Sequence, residues 1–139
     1  MNIKQRILEI FEIVSRDLVA AKVQKLRKIG AREINITQFQ YINAINHMEE
    51  PTFTGLAKVL GVSKPSVTGI VNKLIEQGYA QKCQSDSDRR VYYIQLTRAG
   101  KQVAVAYEEA CREYIDGMAR ALSDSELHQL MILMEKALL

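Results

Sequence analysis

Residues 52–100 read TFTGLAKVLGVSKPSVTGIVNKLIEQGYAQKCQSDSDRRVYYIQLTRAG, and the order of signals in this stretch decides the fold. Leu56, Ala57 and Leu60 share the inward face of a short helix over residues 54–60, with Thr52 or Thr54 as its N-cap. Gly61 turns the chain, because glycine reaches positive φ without steric cost, and Val62 is expected to plug the angle that follows. Ser63 caps a second helix, and Pro65 is tolerated in its first turn, where a missing N–H costs nothing. Val67, Ile70, Val71, Leu74 and Ile75 form its buried face, and Gly78 ends it. Two strands follow at 79–84 and 91–96, around the turn-rich tip Ser85-Asp86-Ser87-Asp88-Arg89. Helix, tight turn, helix and basic-tipped hairpin together make a winged helix-turn-helix.

In such a motif the second helix is the one that enters a DNA major groove, leading with its N-terminal residues. Removing the buried positions leaves Lys64, Pro65, Ser66, Thr68, Gly69, Asn72, Lys73 and Glu76 on the open face, with Ser63 at the cap. This face is small, polar and rich in hydrogen-bonding groups. Ser66 and Thr68 suit base edges or phosphates, Asn72 suits adenine or a phosphate, and Lys64 and Lys73 suit phosphates. At the hairpin tip, Arg89 and Arg90 suit a minor groove, and Asp88 is placed to orient a guanidinium by a charge-assisted bond. The ordinary alternative for both surfaces is a solvated face with incidental charges.

Working outward, Ile3, Ile7, Ile10, Val14, Leu18 and Ala21 recur at steps of three and four, so residues 2–28 read as one long helix ended near Gly30. A second helix is expected from about Thr37, with Thr37 and Gln40 at capping-box spacing and Glu49-Glu50-Pro51 as its stop. After the hairpin, Thr97 caps a long helix to about residue 122. Ser123 and Glu126 form another capping box ahead of a helix carrying Leu127, Leu130, Met131, Leu133, Met134 and Leu138. The end helices carry more apolar surface than the central motif needs. Soluble proteins do not leave such stripes bare, so a symmetric dimer is expected through Ile3, Ile7, Ile10 and Val14 with Leu127, Leu130 and Met134. The alternative is that these helices fold back on their own core.

The expected organisation is mainly α with a small β-hairpin wing: an N-terminal dimerisation helix (1–36), a winged helix-turn-helix (37–100) and C-terminal dimerisation helices (101–139). Charge follows this division. From Phe53 to Lys101 eight cations face three anions, a net of +5 in a chain whose total is only +3. That basic centre suits a phosphate-facing surface. No secretory signal or apolar run of membrane-spanning length is read, and Cys83 and Cys111 fall in no metal-ligand spacing, so a reducing cytoplasmic setting is expected. No metal site, nucleophile–base pair or phosphate loop is read, so no enzymatic role is expected.

LAKVLGVSKPSVTGIVNKLIEQGY followed by DSDRRVYYIQLTRAG resembles the MarR family of bacterial transcription regulators, and the resemblance extends over essentially the whole chain. Its sharpest part is Asp88-x-Arg90 leading into Leu96-Thr97 and Gly100. The resemblance implies an obligate homodimer on a palindromic double-stranded operator, with recognition helices in successive major grooves and wings in the flanking minor grooves. It implies that Ser63, Lys64, Ser66, Thr68 and Lys73 lie on the DNA-facing helix, and that Asp88 orients the wing arginine, Arg90, with Arg89 beside it. Two positions depart from the pattern. Gly69 stands where many members carry a larger, often basic side chain, and Asn72 replaces a common acidic residue.

The resemblance leaves regulation open. Some members bind aromatic or phenolic acids in a cleft between dimer and DNA-binding regions, which here would draw on Tyr41, His47 and Met48. Others sense oxidants through a cysteine near the first helix, whereas this chain has none before Cys83. Cys83 and Cys111 are expected to be buried thiols, and no cofactor beyond such an effector is expected. The competing readings are a winged-helix module that binds protein and a redox-responsive regulator using Cys83 or Cys111.

Overall fold

A computed structural model describes residues 2–139; Met1, the first residue of the expected N-terminal region, lies outside them. Among the described residues the elements run α1 (Ile3–Lys28), α2 (Ile36–His47), α3 (Phe53–Leu60), α4 (Lys64–Glu76), β1 (Ala80–Gln84), β2 (Tyr92–Leu96), α5 (Arg98–Ala119) and α6 (Asp124–Leu138). No helix among the described residues is long and apolar enough to cross a membrane. The helix starts are set by side-chain caps. Asn2, Asn35, Thr52, Ser63, Thr97 and Ser123 each accept a hydrogen bond from the backbone N–H three residues on, satisfying one of the orphan donors of the first turn.

The core lies where α2, α3, α4, the hairpin and the first half of α5 meet. Phe39 and Ile42 of α2, Leu56 of α3, and Val67, Val71 and Leu74 of α4 are fully buried, with Ile94 of β2 and Val103 of α5 beside them. Tyr107 of α5 meets the Phe39 ring edge-on at 4.9 Å, which ties the long helix to α2. β1 and β2 pair antiparallel, from Ala80 opposite Leu96 to Gln84 opposite Tyr92. Thr52 also bridges Tyr93, and Ile94 N–H donates to the Pro51 carbonyl at 2.8 Å. The segment before α3 thus acts as a minimal third strand. It anchors the wing to the helix-turn-helix, and its single bridge left no pattern in the sequence.

The turn between α3 and α4 follows from Gly61 in the left-handed region (φ 65), with Val62 N–H returning to the Ala57 carbonyl. The passage from wing to α5 depends on close packing. Thr97 Oγ1 donates to the Gly78 carbonyl at 2.6 Å and accepts from Gly100 N–H at 3.2 Å. A Cβ on Gly100 would drive into the Tyr79 carbonyl, so only glycine fits against that strand entry.

Several expectations are corrected. The α2 cap is Asn35 with Gln38, not Thr37 with Gln40; both pairs have capping-box spacing, and asparagine is at least as good an N-cap as threonine. Of the two caps expected for α3, Thr52 is the one used. Val62 is 40% exposed, so it is not buried in the angle between the two helices as expected. Ile70 and Ile75 are half-buried rather than buried, flanking the Val67–Val71–Leu74 stripe. α5 ends at Ala119, about three residues early, with Arg120 as its C-cap.

The end helices stand apart from this core. α1 buries only Lys22 and Leu26, on its second half, and α6 buries nothing. Ile3 is 80% exposed; Ile7, Ile10 and Met134 are exposed; Val14, Leu127 and Leu130 are half-buried. Fold-back onto the chain's own core, the alternative fate of these stripes, does not occur for the first half of α1 or for α6.

Candidate nucleic-acid interface

The first turn of α4 carries a small hydroxyl network. Ser63 Oγ accepts from Ser66 N–H at 3.3 Å and lies 2.8 Å from Ser66 Oγ. Thr68 Oγ1 donates to the Lys64 carbonyl at 3.1 Å, so its hydroxyl proton is committed within the helix. What Thr68 offers outward is acceptor lone pairs and a methyl group. Ser63, Lys64, Pro65, Ser66, Asn72 and Lys73 are exposed and Thr68 is half-buried, on the one face that Val67, Val71 and Leu74 leave free. Gly69 sits in the middle of that face, and a Cβ there would meet nothing within 4 Å. It leaves a gap in the side-chain relief where a partner's surface could approach the helix backbone.

The wing tip fastens itself. Ser85 is buried, its N–H donates to the Val91 carbonyl at 2.9 Å, and its Oγ accepts from Asp88 N–H at 3.3 Å. On this turn Asp88 takes three bonds from Arg90. Oδ1 accepts from the backbone N–H and from Nε, and Oδ2 accepts from Nη2, each at 3.1 Å. The Arg90 bonds hold the Asp88 carboxyl below its ordinary range. The guanidinium is fixed in direction yet stays 91% exposed. Arg89 is exposed beside it, its carbonyl accepting from Gln84 Nε2 at 2.8 Å.

Helix and wing are brought together across a cleft of about 470 Å³. Lys64 and Thr68 of α4 line one side, Lys82, Arg90 and Tyr92 of the hairpin the other, and Thr52 and Thr54 at the start of α3 the floor. Ser66 and Lys73 are on the same helix but do not line it. Sequence reading missed Thr52, Thr54, Lys82 and Tyr92 as site residues. A signal existed for Lys82, which shares the inward strand face of Ala80 and Ile94 and is the one charged residue there.

The expected effector-cleft residues are divided. His47 and Met48 line a second cleft of about 520 Å³ together with Asn43, Val59, Leu60 and Tyr107. Tyr41 is buried at 4% exposure in the core, and burial pushes its phenol above the usual range. It does not reach the cleft. Asn43 Oδ1 is buried without a hydrogen-bond partner. His47 spans the rim, with Nδ1 2.8 Å from the Asn43 carbonyl and Nε2 3.4 Å from Glu108 of α5. Cys83 and Cys111 are free thiols and half-buried rather than buried; Cys83 Sγ donates to Gln95 Oε1 at 3.0 Å across the hairpin.

Residues 33–91 match the sequence model described as "MarR family", a segment from just before α2 to the wing tip. The chain is 24% identical over 136 residues to the uncharacterized HTH-type transcriptional regulator YpoP of Bacillus subtilis, covering 98% of this chain and 96% of that one. It is 29% identical over 108 residues to the transcriptional repressor MprA of Escherichia coli K12, covering 75% and 60% of the two chains. Among solved structures, Streptococcus pneumoniae FabT in complex with DNA superposes with a TM-score of 0.85 at 25% identity, over 96% of this chain and 94% of that one. With the helix-turn-helix, the Asp88–Arg90 wing and the long flanking helices all in place, the chain is a winged helix-turn-helix protein similar in sequence and fold to the MarR family of transcriptional regulators.

Proposed function

We propose that this regulator is a homodimer that binds a palindromic operator in double-stranded DNA and acts as a repressor. α4 lies in the major groove and the wing in the adjacent minor groove. The observation that carries this reading is the fork between Asp88 and Arg90, which presents an exposed, pre-aimed guanidinium from the hairpin tip on the side of the basic α4 face. Pre-aiming lowers the conformational entropy lost when an arginine enters a narrow minor groove. FabT, its structural neighbour at a TM-score of 0.85, was solved in complex with DNA, and MprA is a repressor.

In this reading Ser63, Lys64, Pro65, Ser66, Thr68, Asn72 and Lys73 meet one half-site, with Asp88, Arg89 and Arg90 at its flank. Ile3, Ile7, Ile10, Val14, Leu127, Leu130 and Met134 join the subunits. Release by a small aromatic or phenolic effector would use the cleft over His47, Met48 and Tyr107, where Asn43 Oδ1 is an unpartnered acceptor. Selection of bound sequences from a random duplex pool tests the core of the proposal. The expected result is an enriched palindrome with half-sites about one helical turn apart and an affinity of ~10⁻⁸ M or tighter. Weak, salt-sensitive binding with no enriched sequence would overturn it.

A further inference from the structure

The cleft between α4 and the wing holds more positive charge than base reading needs, and its cations come from three separate segments: Lys64 from α4, Lys82 from β1 and Arg90 from the tip. No carboxylate is among the described residues that line it. Lys82 is the unusual member. Strand alternation puts it on the inward face with Ala80 and Ile94, both buried, at a position that normally takes an apolar side chain. It stays exposed, and its ammonium sits 5.2 Å from the centroid of the Phe53 ring. The ring holds the cation by its quadrupole without neutralising it. Beside it, Thr54 at the start of α3 contributes an exposed hydroxyl.

We infer that this cleft seats one backbone phosphate of duplex DNA, with Lys82, steadied over Phe53, as its principal ligand and Lys64 and the Thr54 hydroxyl as supporting ones. A phosphodiester carries a single charge and acceptor oxygens pointing in several directions. It is matched by cations converging from separate elements, whereas base edges are read by planar, directional contacts. A phosphate seated here would set the angle of α4 against the groove by bridging recognition helix and wing. This inference rests on the DNA-binding reading above and adds a positioning residue to it.

The test measures binding of the full chain to its selected operator and to an unrelated duplex over a range of salt concentrations. The variants are Lys82→Met, which keeps the apolar stem over Phe53, Lys82→Arg, and Lys101→Ala. Lys101 lines a groove that includes Gln81, Cys83, Tyr93 and Gln95 on the hairpin's other face, so it gives the same loss of charge elsewhere. Lys82→Met is expected to weaken both duplexes by a similar factor and to lower the log–log salt slope by about 0.9 per subunit bound. Lys82→Arg should restore the slope, and Lys101→Ala should leave it unchanged. A methylphosphonate scan of the operator should find one position per half-site where neutralisation harms the wild type but not Lys82→Met. An unchanged slope in Lys82→Met, or an equal loss in Lys101→Ala, would overturn the inference while the operator reading stands. A wild type that binds neither duplex would overturn both.

Discussion

Arg90 gains its role from a neighbour two residues away. An exposed arginine samples many rotamers, and fixing one costs entropy that binding must otherwise supply. Asp88 removes that cost in advance by holding both the Arg90 backbone and its guanidinium. Arg90→Ala should therefore weaken operator binding and flatten its salt dependence. Asp88→Asn, which keeps the turn but weakens the fork, should weaken binding with the salt slope retained. Titration by fluorescence anisotropy at several salt concentrations separates the two, and a full slope in Arg90→Ala would remove that residue from the interface. Gly69 poses the opposite problem, a residue that weakens its own helix. A Cβ there meets nothing, so Gly69→Ala should raise stability by about 0.5–1 kcal/mol, read by thermal denaturation. If the variant is more stable yet binds DNA less well, the missing methyl is needed for close approach; equal affinity would mean that the gap is idle.

At the scale of elements, the Thr97–Gly100 junction shows why one part of the sequence was easy to read. Thr97 joins the end of the recognition helix's exit turn to the start of α5, and Gly100 lets the Tyr79 carbonyl lie against that helix. Gly100→Ala should cost about 1–3 kcal/mol as the helix is pushed off the strand. Urea denaturation followed by circular dichroism would register it, and a neutral result would mean that the junction relaxes freely. Motifs of this kind are legible because local sterics permit few residues. The α2 cap differs from the expected one because two overlapping pairs satisfy the same local rule, and the helix takes asparagine, which caps at least as well as threonine. The bridge between Thr52 and Tyr93 depends on a partner far away in sequence, which no local pattern encodes, whereas the inward place of Lys82 follows from its alternation with Ala80. The same distance rule hid the contact between Tyr79 and Glu33, in which the Tyr79 hydroxyl donates to the Glu33 carboxylate. Burial, then the Glu33 bond, pushes the Tyr79 phenol from its usual 10.0 to about 12. A pKa raised by folding gives stability that is complete below the unfolded value and is lost as pH rises through the folded one. Between pH 10 and about 12 the wild type should therefore lose melting temperature faster than Tyr79→Phe. Parallel losses would mean that the pair adds nothing to alkaline stability.

For the whole molecule the question is what covers the end helices. α1 is anchored only through its second half, where Lys22 donates to the Tyr107 hydroxyl at 3.2 Å and Lys25 pairs with Glu113 at 2.6 Å. Its first half leaves Ile3, Ile7, Leu8, Ile10 and Phe11 exposed, and α6 leaves Met131, Ile132, Leu133, Met134 and Leu138 exposed. In the homodimer proposed above each subunit offers both stripes to the other, which is the condition for an isologous twofold interface. Ile10→Glu places a charge in that seam without touching the core, since Ile10 is 46% exposed in the single chain. A buried, unpartnered carboxylate at the seam would cost several kcal/mol in the dimer and little in the monomer. The variant should thus sediment as a monomer while keeping helical circular dichroism. Its binding to a palindromic operator should weaken and follow a shallow, non-cooperative isotherm, because each half-site would then capture one subunit independently. A variant that remained a dimer in sedimentation, with unchanged operator affinity, would show that the subunits meet through some other surface and that the first half of α1 serves a different partner.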